Sequence, residues 1–231
     1  FTKSLIKGKL VKRYKRFFTD IKVNKEIITA HCPNTGSMMG LLDQNNDVWI
    51  SKNDDPKRKL KYTLEIIKVK KNLVGVNTHL ANKIVFEGLK NNLIKEFNKD
   101  INIKTEQKFG KNTRFDFLLD YQGKKSFLEV KNVTLLRSKG LAEFPDAVTS
   151  RGKKHLDELI NAIKLGYEAY IFYVIQREDC SMFRIAKDID PEYSKILTEA
   201  KKKNVKILCY DCKFSSKGIK LNRQIKLQIN D

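Results

Sequence analysis

The sequence predicts an α/β chain, α+β overall, in which a small β-barrel precedes a mixed domain of helices and strands. Three observations carry this. Four short branched or aromatic runs, separated by polar turns, fill the first third. An α-β-β-β-α-β order follows, and then one further helix and strand. The length, 231 residues, suits one large domain or two small ones, and 41% apolar residues suffice for cores.

Residues 5–11, 27–30, 47–50 and 62–67 read as the strands of an OB-like barrel. Asn34-Thr35-Gly36 and Asn45-Asn46-Asp47 are turn signals between them. The pattern changes near Asn77. It divides the chain into a basic, OB-like nucleic-acid-binding domain over residues 1–77 and a second domain over 78–231. Thr78 can N-cap a helix over 80–97. Residues 101–109 read as extended, and 114–120 and 126–135 as strands. A helix over 147–165 ends at Gly166, a fitting C′ residue. Residues 168–176 form a very apolar strand. Pro191 opens a third helix reaching about residue 203, and 205–210 is a last buried strand. The polar tail from Lys213 is frayed or an edge strand.

Lys and Arg number 47 against 27 Asp and Glu, for a net charge of +20. Such an excess favours phosphate backbones over anionic lipid as the partner. Lys outnumbers Arg 38 to 9 and Asn occurs 18 times, a bias that AT-rich codon usage would also produce. Residues 1–77 and 78–231 each carry +10, so the charge is denser in the N-terminal third. No apolar run of ~18 residues is present, which excludes a transmembrane helix and a membrane partner of that kind. Residues 1–5 do not resemble a secretory signal. Four cysteines make no disulfide scaffold, so a reducing cytoplasm is expected. Cys209-Tyr210-Asp211-Cys212 has CxxC spacing without a second pair, which argues against structural zinc. GxSxG, Walker and GxGxxG motifs are absent, so triad hydrolases, NTPases and dinucleotide enzymes lack support. No heptad pattern decides the oligomeric state.

The chemistry concentrates in residues 114–131. Two strands flank Gln122-Gly123, which reads as an antiparallel hairpin. With the turn centred there, opposed residues have numbers summing to 245. Phe115 then faces Val130 and Phe117 faces Leu128, giving one apolar face. On the other face Asp116 sits opposite Glu129, with Lys131 two residues along. Directly opposed carboxylates repel. A hard divalent cation, Mg²⁺ or Mn²⁺, would relieve that repulsion. Lys131 would position or deprotonate a water for attack on phosphorus. The competing reading is an exposed polar face with no metal. Glu87 falls on the helical stripe of Leu80, Ile84 and Ile94, and a carboxylate there invites a partner. It would complete the cage or relay a proton, or else lie at the stripe edge in water. Glu106 is an alternative fourth carboxylate.

The pattern Asp116…Glu129-Val130-Lys131, after a helix with Glu87, resembles the PD-(D/E)XK nuclease superfamily. Longer motifs are similar to those of the sugar fermentation stimulation protein A family. They are His31-Cys32-Pro33-Asn34-Thr35-Gly36-Ser37-Met38, Arg58-Lys59-Leu60, Arg114-Phe115-Asp116-Phe117-Leu118-Leu119 and Glu129-Val130-Lys131-Asn132-Val133-Thr134-Leu135. Phe144-Pro145-Asp146-Ala147-Val148-Thr149 and Arg151-Gly152-Lys153-Lys154-His155-Leu156 belong with them. Together they span most of the chain. The resemblance implies an OB-like domain followed by a restriction-endonuclease-like α-β-β-β-α-β domain with a mixed sheet. It also implies DNA binding with little sequence preference. The superfamily's catalytic residues fall on Asp116, Glu129 and Lys131, with Glu87 as the helix acid. Asp116, Glu129 and the Val130 carbonyl would hold the metal. Phosphodiester hydrolysis is the implied reaction. A purely binding regulator and an RNA-processing factor stay open beside it.

Basic clusters supply candidate phosphate contacts. Arg151, Lys153, Lys154 and His155 open the second helix, where backbone and side chains suit phosphate, unless they form only a solvated basic turn. Asp146 before it reads as an N-terminal helix charge. Arg13 and Arg16 alternate with Tyr14, Phe17 and Phe18. At least two of these aromatics are expected in the barrel core, although OB-like domains also stack bases on aromatics. Lys57, Arg58 and Lys59 form a basic turn. His31 would donate to a phosphate or serve as a structural histidine.

Overall fold

The computed structural model describes residues 1, 4–97, 100–110, 113–215 and 218–228. The first third closes into a barrel. Its strands are β1 (Ile6–Tyr14), β2 (Phe18–Val23), β3 (Glu26–His31), β4 (Asp47–Lys52) and β5 (Tyr62–Val69). They pair in the ring β1-β2-β3-β5-β4, and the short parallel β3–β5 contact closes it. Strand alternation, with one register shift in the β4–β5 pairing, sends Leu10, Ile21, Val48, Ile50, Leu64 and Ile67 inward. Gly8 is required where β1 crosses β2, because a Cβ would lie 2.6 Å from Ile21 Cγ2. β6 (Asn72–Gly75) extends the sheet from β5. The sequence reading passed over β2. Its turn uses Lys15 and Arg16 at positive φ, 47° and 61°, with none of the usual Gly or Asn turn signals.

The aromatics of this turn are not core residues, contrary to expectation. Phe17 is 47% exposed and Tyr14 is also exposed. Tyr14 stacks on Phe18 with ring centroids 5.4 Å apart, outside the barrel interior.

α1 (Leu80–Lys90) ends well before residue 97. Asn92 adopts φ 55° and turns the chain. Thr78 is not its cap; its hydroxyl donates to the Pro33 carbonyl at 3.1 Å, while Asn77 Oδ1 accepts from the His79 amide at 3.0 Å. Then come β7 (Asn102–Phe109), β8 (Thr113–Tyr121), β9 (Lys124–Val133), β10 (Leu135–Ser138), β11 (Gly140–Phe144) and α2 (Ser150–Lys164). β12 (Glu168–Ile175), β13 (Cys180–Ile185), α3 (Pro191–Lys202), β14 (Lys206–Ser215), β15 (Gly218–Gln224) and β16 (Lys226–Leu227) complete the chain.

The main sheet has the order β15-β14-β12-β9-β8-β7. Its central strands β9, β12 and β14 are parallel and its outer strands antiparallel, so the sheet is mixed. The polar tail supplies the edge strand β15 through buried Ile219 and Leu221. α2 and α3 cover one face through Leu156, Leu159 and Leu197. α1 covers the other through Ala81, Ile84 and Leu89, where Trp49 and Leu73 of the barrel join it. A second sheet, β10-β11-β13-β16, was not foreseen. It begins where the expected 126–135 strand breaks after Val133. Cys209 and Cys212 enter opposite cores, which separates the CxxC thiols.

The two halves are joined by backbone and carboxylate contacts. The Gly75 amide donates to the Gln176 carbonyl at 2.9 Å. Asp146 accepts from the Met38 amide at 3.3 Å and the Ser37 hydroxyl at 3.4 Å. It therefore ties the barrel to the second domain rather than charging the helix N-terminus. The cap of α2 is Thr149, whose hydroxyl accepts from the Gly152 amide at 3.0 Å. Among the described residues no helix is long and apolar enough to cross a membrane.

The β8–β9 hairpin turns through Gln122 and Gly123, both at positive φ, 51° and 84°, as a type I′ turn requires. Its pairs run from Tyr121↔Lys124 to Phe117↔Leu128 in the expected register. The single apolar face is corrected: Phe117 packs with Leu128 and Val130 on the α1 side, while Phe115 packs with Phe109 and Phe127 on the α2 side. Alternation is broken between them, at Asp116.

Candidate active site

Asp116 stands where the β8–β9 ladder ends. Its Oδ2 accepts from the Val130 amide at 2.7 Å, and its Oδ1 accepts from Asn82 Nδ2 of α1 at 2.7 Å. These bonds hold the carboxylate beside β9. Glu129 lies one residue before Val130, is 3% exposed, and faces α2. Its Oε1 accepts from Lys131 Nζ at 2.8 Å and meets His155 Nδ1 in a close contact. Lys131 Nζ is also 3.2 Å from His155 Nδ1. The structure thus gathers Asp116, Glu129, Lys131 and His155.

The electrostatics divide the two carboxylates. Burial, reinforced by the Glu129 charge, raises the pKa of Asp116 from 3.8 to about 6. The Val130 amide and Asn82 oppose that rise. Burial penalises Glu129 as well, but His155 and Lys131 outweigh the penalty and hold its pKa below the ordinary value. Glu129 Oε2 is buried with no hydrogen-bond partner among the described residues. A buried carboxylate oxygen left without a donor is costly, and a cation would satisfy it. Glu129 Oε2 is the oxygen open to such an ion, and Asp116 and the Val130 carbonyl are the neighbouring oxygens that could share it. Among the described residues no three His, Cys, Asp or Glu side chains converge as a self-sufficient cage.

The expected helix acid is placed differently. Glu87 is exposed on α1, and the α1 residue touching Asp116 is Asn82, five positions earlier. Glu87 lines a groove of about 290 Å³ shared with Asp116, Lys83, Phe86 and Glu106. Glu106 is exposed and lies 3.7 Å from Arg114. Helix phasing explains the placement: Glu87 sits on the solvent edge of the stripe of Leu80 and Ile84, and Ile94, expected on the same stripe, lies beyond the end of α1.

The phosphate candidates divide as well. His155 is 6% exposed and joins the carboxylate site instead of presenting itself to phosphate. Its neighbours Leu156 and Leu159 mark the buried face, the signal that could have found this role. Arg151 and Lys154 are exposed and Lys153 is half-buried at the opening of α2. Arg13 donates to the carbonyls of Arg16, Asn34 and Gly36 at 3.0, 2.8 and 3.1 Å, so its guanidinium braces the 34–36 turn. Arg16 is exposed at the β1–β2 tip. Lys57 and Lys59 are exposed and Arg58 is half-buried. Asn82 was missed because nothing local distinguishes an asparagine that meets a residue 34 positions away.

Comparison with known proteins places this geometry in context. The model of the sugar fermentation stimulation protein RE domain matches residues 79–218, and that of the SfsA N-terminal OB domain matches residues 11–76. The sugar fermentation stimulation protein homolog of Pelagibacter ubique is 63% identical over 227 residues, 98% of each chain. That of Maricaulis maris is 41% identical over 232 residues, covering 100% of this chain and 99% of its own. Among solved structures, Pyrococcus furiosus SfsA in complex with Ca²⁺ superposes with a TM-score of 0.88 at 24% identity, over 97% of this chain and 96% of that one. At that identity the likeness establishes the fold.

Proposed function

The chain belongs to the sugar fermentation stimulation protein family, and on that premise we propose that it binds DNA without sequence preference and hydrolyses phosphodiesters at a divalent-cation site. The observation that carries this reading is the half-buried Asp116 beside the buried Glu129, with Glu129 Oε2 lacking any protein partner among the described residues. Nothing in folding calls for two apposed carboxylates at a ladder end. The Ca²⁺ complex of the Pyrococcus relative adds support for a cation in this fold.

Asp116, Glu129 and the Val130 carbonyl would hold Mg²⁺ or Mn²⁺. When bound, such an ion polarises a phosphoryl oxygen and lowers the pKa of water. The protein groups have separate tasks. The Val130 amide and Asn82 aim Asp116. His155 of α2 fixes Glu129 through its ring nitrogen. Lys131, held 2.8 Å from Glu129, orients the attacking water and offsets charge developing on phosphorus. The exposed Arg151, Lys57 and Lys59, with the net charge of +20, would hold the phosphate backbone.

The test is incubation of the purified protein with labelled single- and double-stranded DNA in Mg²⁺, Mn²⁺ or EDTA, beside Asp116→Ala and Lys131→Ala. Metal-dependent cleavage lost in both variants is the expected result. Binding without cleavage under every condition would leave a basic binding protein on a nuclease-like scaffold. An RNA substrate in parallel assigns the strand type.

A further inference from the structure

A second site lies apart from the carboxylates. A cleft of about 630 Å³ opens between the barrel and α1. His31, Lys52 and Arg58 line it from the barrel, and His79, Lys83 and Lys220 from the second domain. Among the described residues, none of His31, Arg58, His79 and Lys83 is ion-paired through its side chain. Burial, and then the charges of Arg58 and His79, lower the pKa of His31, which places these groups within electrostatic reach. The carboxylate on the floor, Glu65, is already held by the Ser51 hydroxyl at 2.6 Å and Asn77 Nδ2 at 2.8 Å. Glu87 stands at the rim. Lys52, Arg58, Lys83 and Lys220 carry charge of one sign round the cavity, and an anion relieves their repulsion.

We propose that this cleft binds a phosphate monoester, and that the phosphorylated end of a nucleic-acid strand is its source. The volume is that of a small-ligand site and cannot admit a duplex. A backbone diester carries one negative charge, whereas a monoester carries about −1.5 to −2 near neutral pH, a better match to several cations. The cleft also leads somewhere. Lys83 and Glu87 line both it and the groove at Asp116. From His79 to Glu87 the helix advances about 12 Å. A strand end seated at His79 would run along α1 toward the carboxylates, a clause that rests on the hydrolytic reading above. The cleft would then make the reaction end-directed.

The experiment is equilibrium binding of the full chain in EDTA, where cleavage does not intervene. The probes are single-stranded oligonucleotides identical but for a phosphate or hydroxyl at the 5′ or the 3′ end, with a nucleoside monophosphate as competitor. One phosphorylated end should tighten binding at least about tenfold. Arg58→Gln and Lys83→Gln should each shrink that margin; neither side chain makes a hydrogen bond or ion pair in the described fold, so both variants should fold. A monophosphate that binds as well as the phosphorylated strand supports the monoester site and assigns it to free nucleotide. Equal affinity for phosphate and hydroxyl ends, with unmoved His31 and His79 ring resonances on adding monophosphate, overturns the proposal. Because the readout is binding, a chain that takes monoesters without cutting would sink only the hydrolytic reading. A chain that cuts without any end preference would sink only this one.

Discussion

The carboxylate of Asp116 accepts the Val130 amide proton at 2.7 Å, at the point where strands β8 and β9 part. A side chain here takes the place of the next ladder bond. The same contact fixes Asp116 one residue from Glu129 and sets up the electrostatic conflict between them.

That conflict has a pH signature. In the folded chain the pKa of Asp116 rises from 3.8 to about 6. The folded state therefore holds this proton more tightly than the unfolded state. The contribution to stability is fully present below pH 3.8 and is lost as pH rises through about 6. Ionised Asp116 then costs up to about 3 kcal/mol. Asp116→Asn should raise the melting temperature by several degrees at pH 8 in EDTA and do little at pH 4. It should also abolish stabilisation by Mg²⁺ or Mn²⁺. Thermal melts at the two pH values, with and without metal, check both parts; an unchanged or lower melting temperature at pH 8 counts against the electrostatic account.

His155 should separate positioning from phosphate binding. His155→Gln leaves Glu129 and Lys131 without their shared brace. Loss of such a supporting group typically costs 10–100-fold in metal affinity or activity. DNA affinity in EDTA should stay within about twofold, since the side chain is buried. Rates and anisotropy measured on one preparation decide it, and a fall in affinity alone would return His155 to the phosphate surface.

Arg13 should behave as a structural residue. Its guanidinium satisfies three carbonyls around the 34–36 turn. Arg13→Ala should destabilise the chain by about 1–3 kcal/mol in urea titration. Lys57→Gln and Lys59→Gln should leave stability unchanged, and each should reduce the salt slope of DNA binding by about one. Equal effects of all three on the slope would contradict this division.

Gly36 and Asp146 should fail together. A Cβ on Gly36 would lie 2.3 Å from Asp146 Oδ2. The carboxylate would have to leave the Met38 amide and Ser37 hydroxyl that it accepts from. Gly36→Ala and Asp146→Ala should give similar losses of stability, and the double variant should be no worse than either alone. Additive losses in the cycle would mean that Gly36 serves some other contact.

Short-range pattern was enough for the hairpin. Alternation over 114–120 and 126–131, with a turn at Gln122-Gly123, dictates which residues oppose which, because a type I′ turn admits one register. That register brings Asp116 near Glu129 and Lys131, but the ladder ends at Phe117↔Leu128, and Asp116 accepts from the Val130 amide instead of pairing with Glu129. Four of the five barrel strands, all but β2, and the three helices were visible through the same periods of two and 3.6.

Contacts across the fold lay beyond such periods. His155 is 26 residues from Glu129, and Asn82 is 34 from Asp116. Which helix face meets which sheet face is decided by closure of the whole core, and it turned Asn82 toward Asp116 and left Glu87 in solvent. The same closure made Arg13 a brace, made Asp146 a tie between domains, and broke alternation at Asp116 so that Phe115 and Phe117 enter different cores. Local pattern sets a residue's place on its own strand or helix; only packing between elements sets the partner it meets.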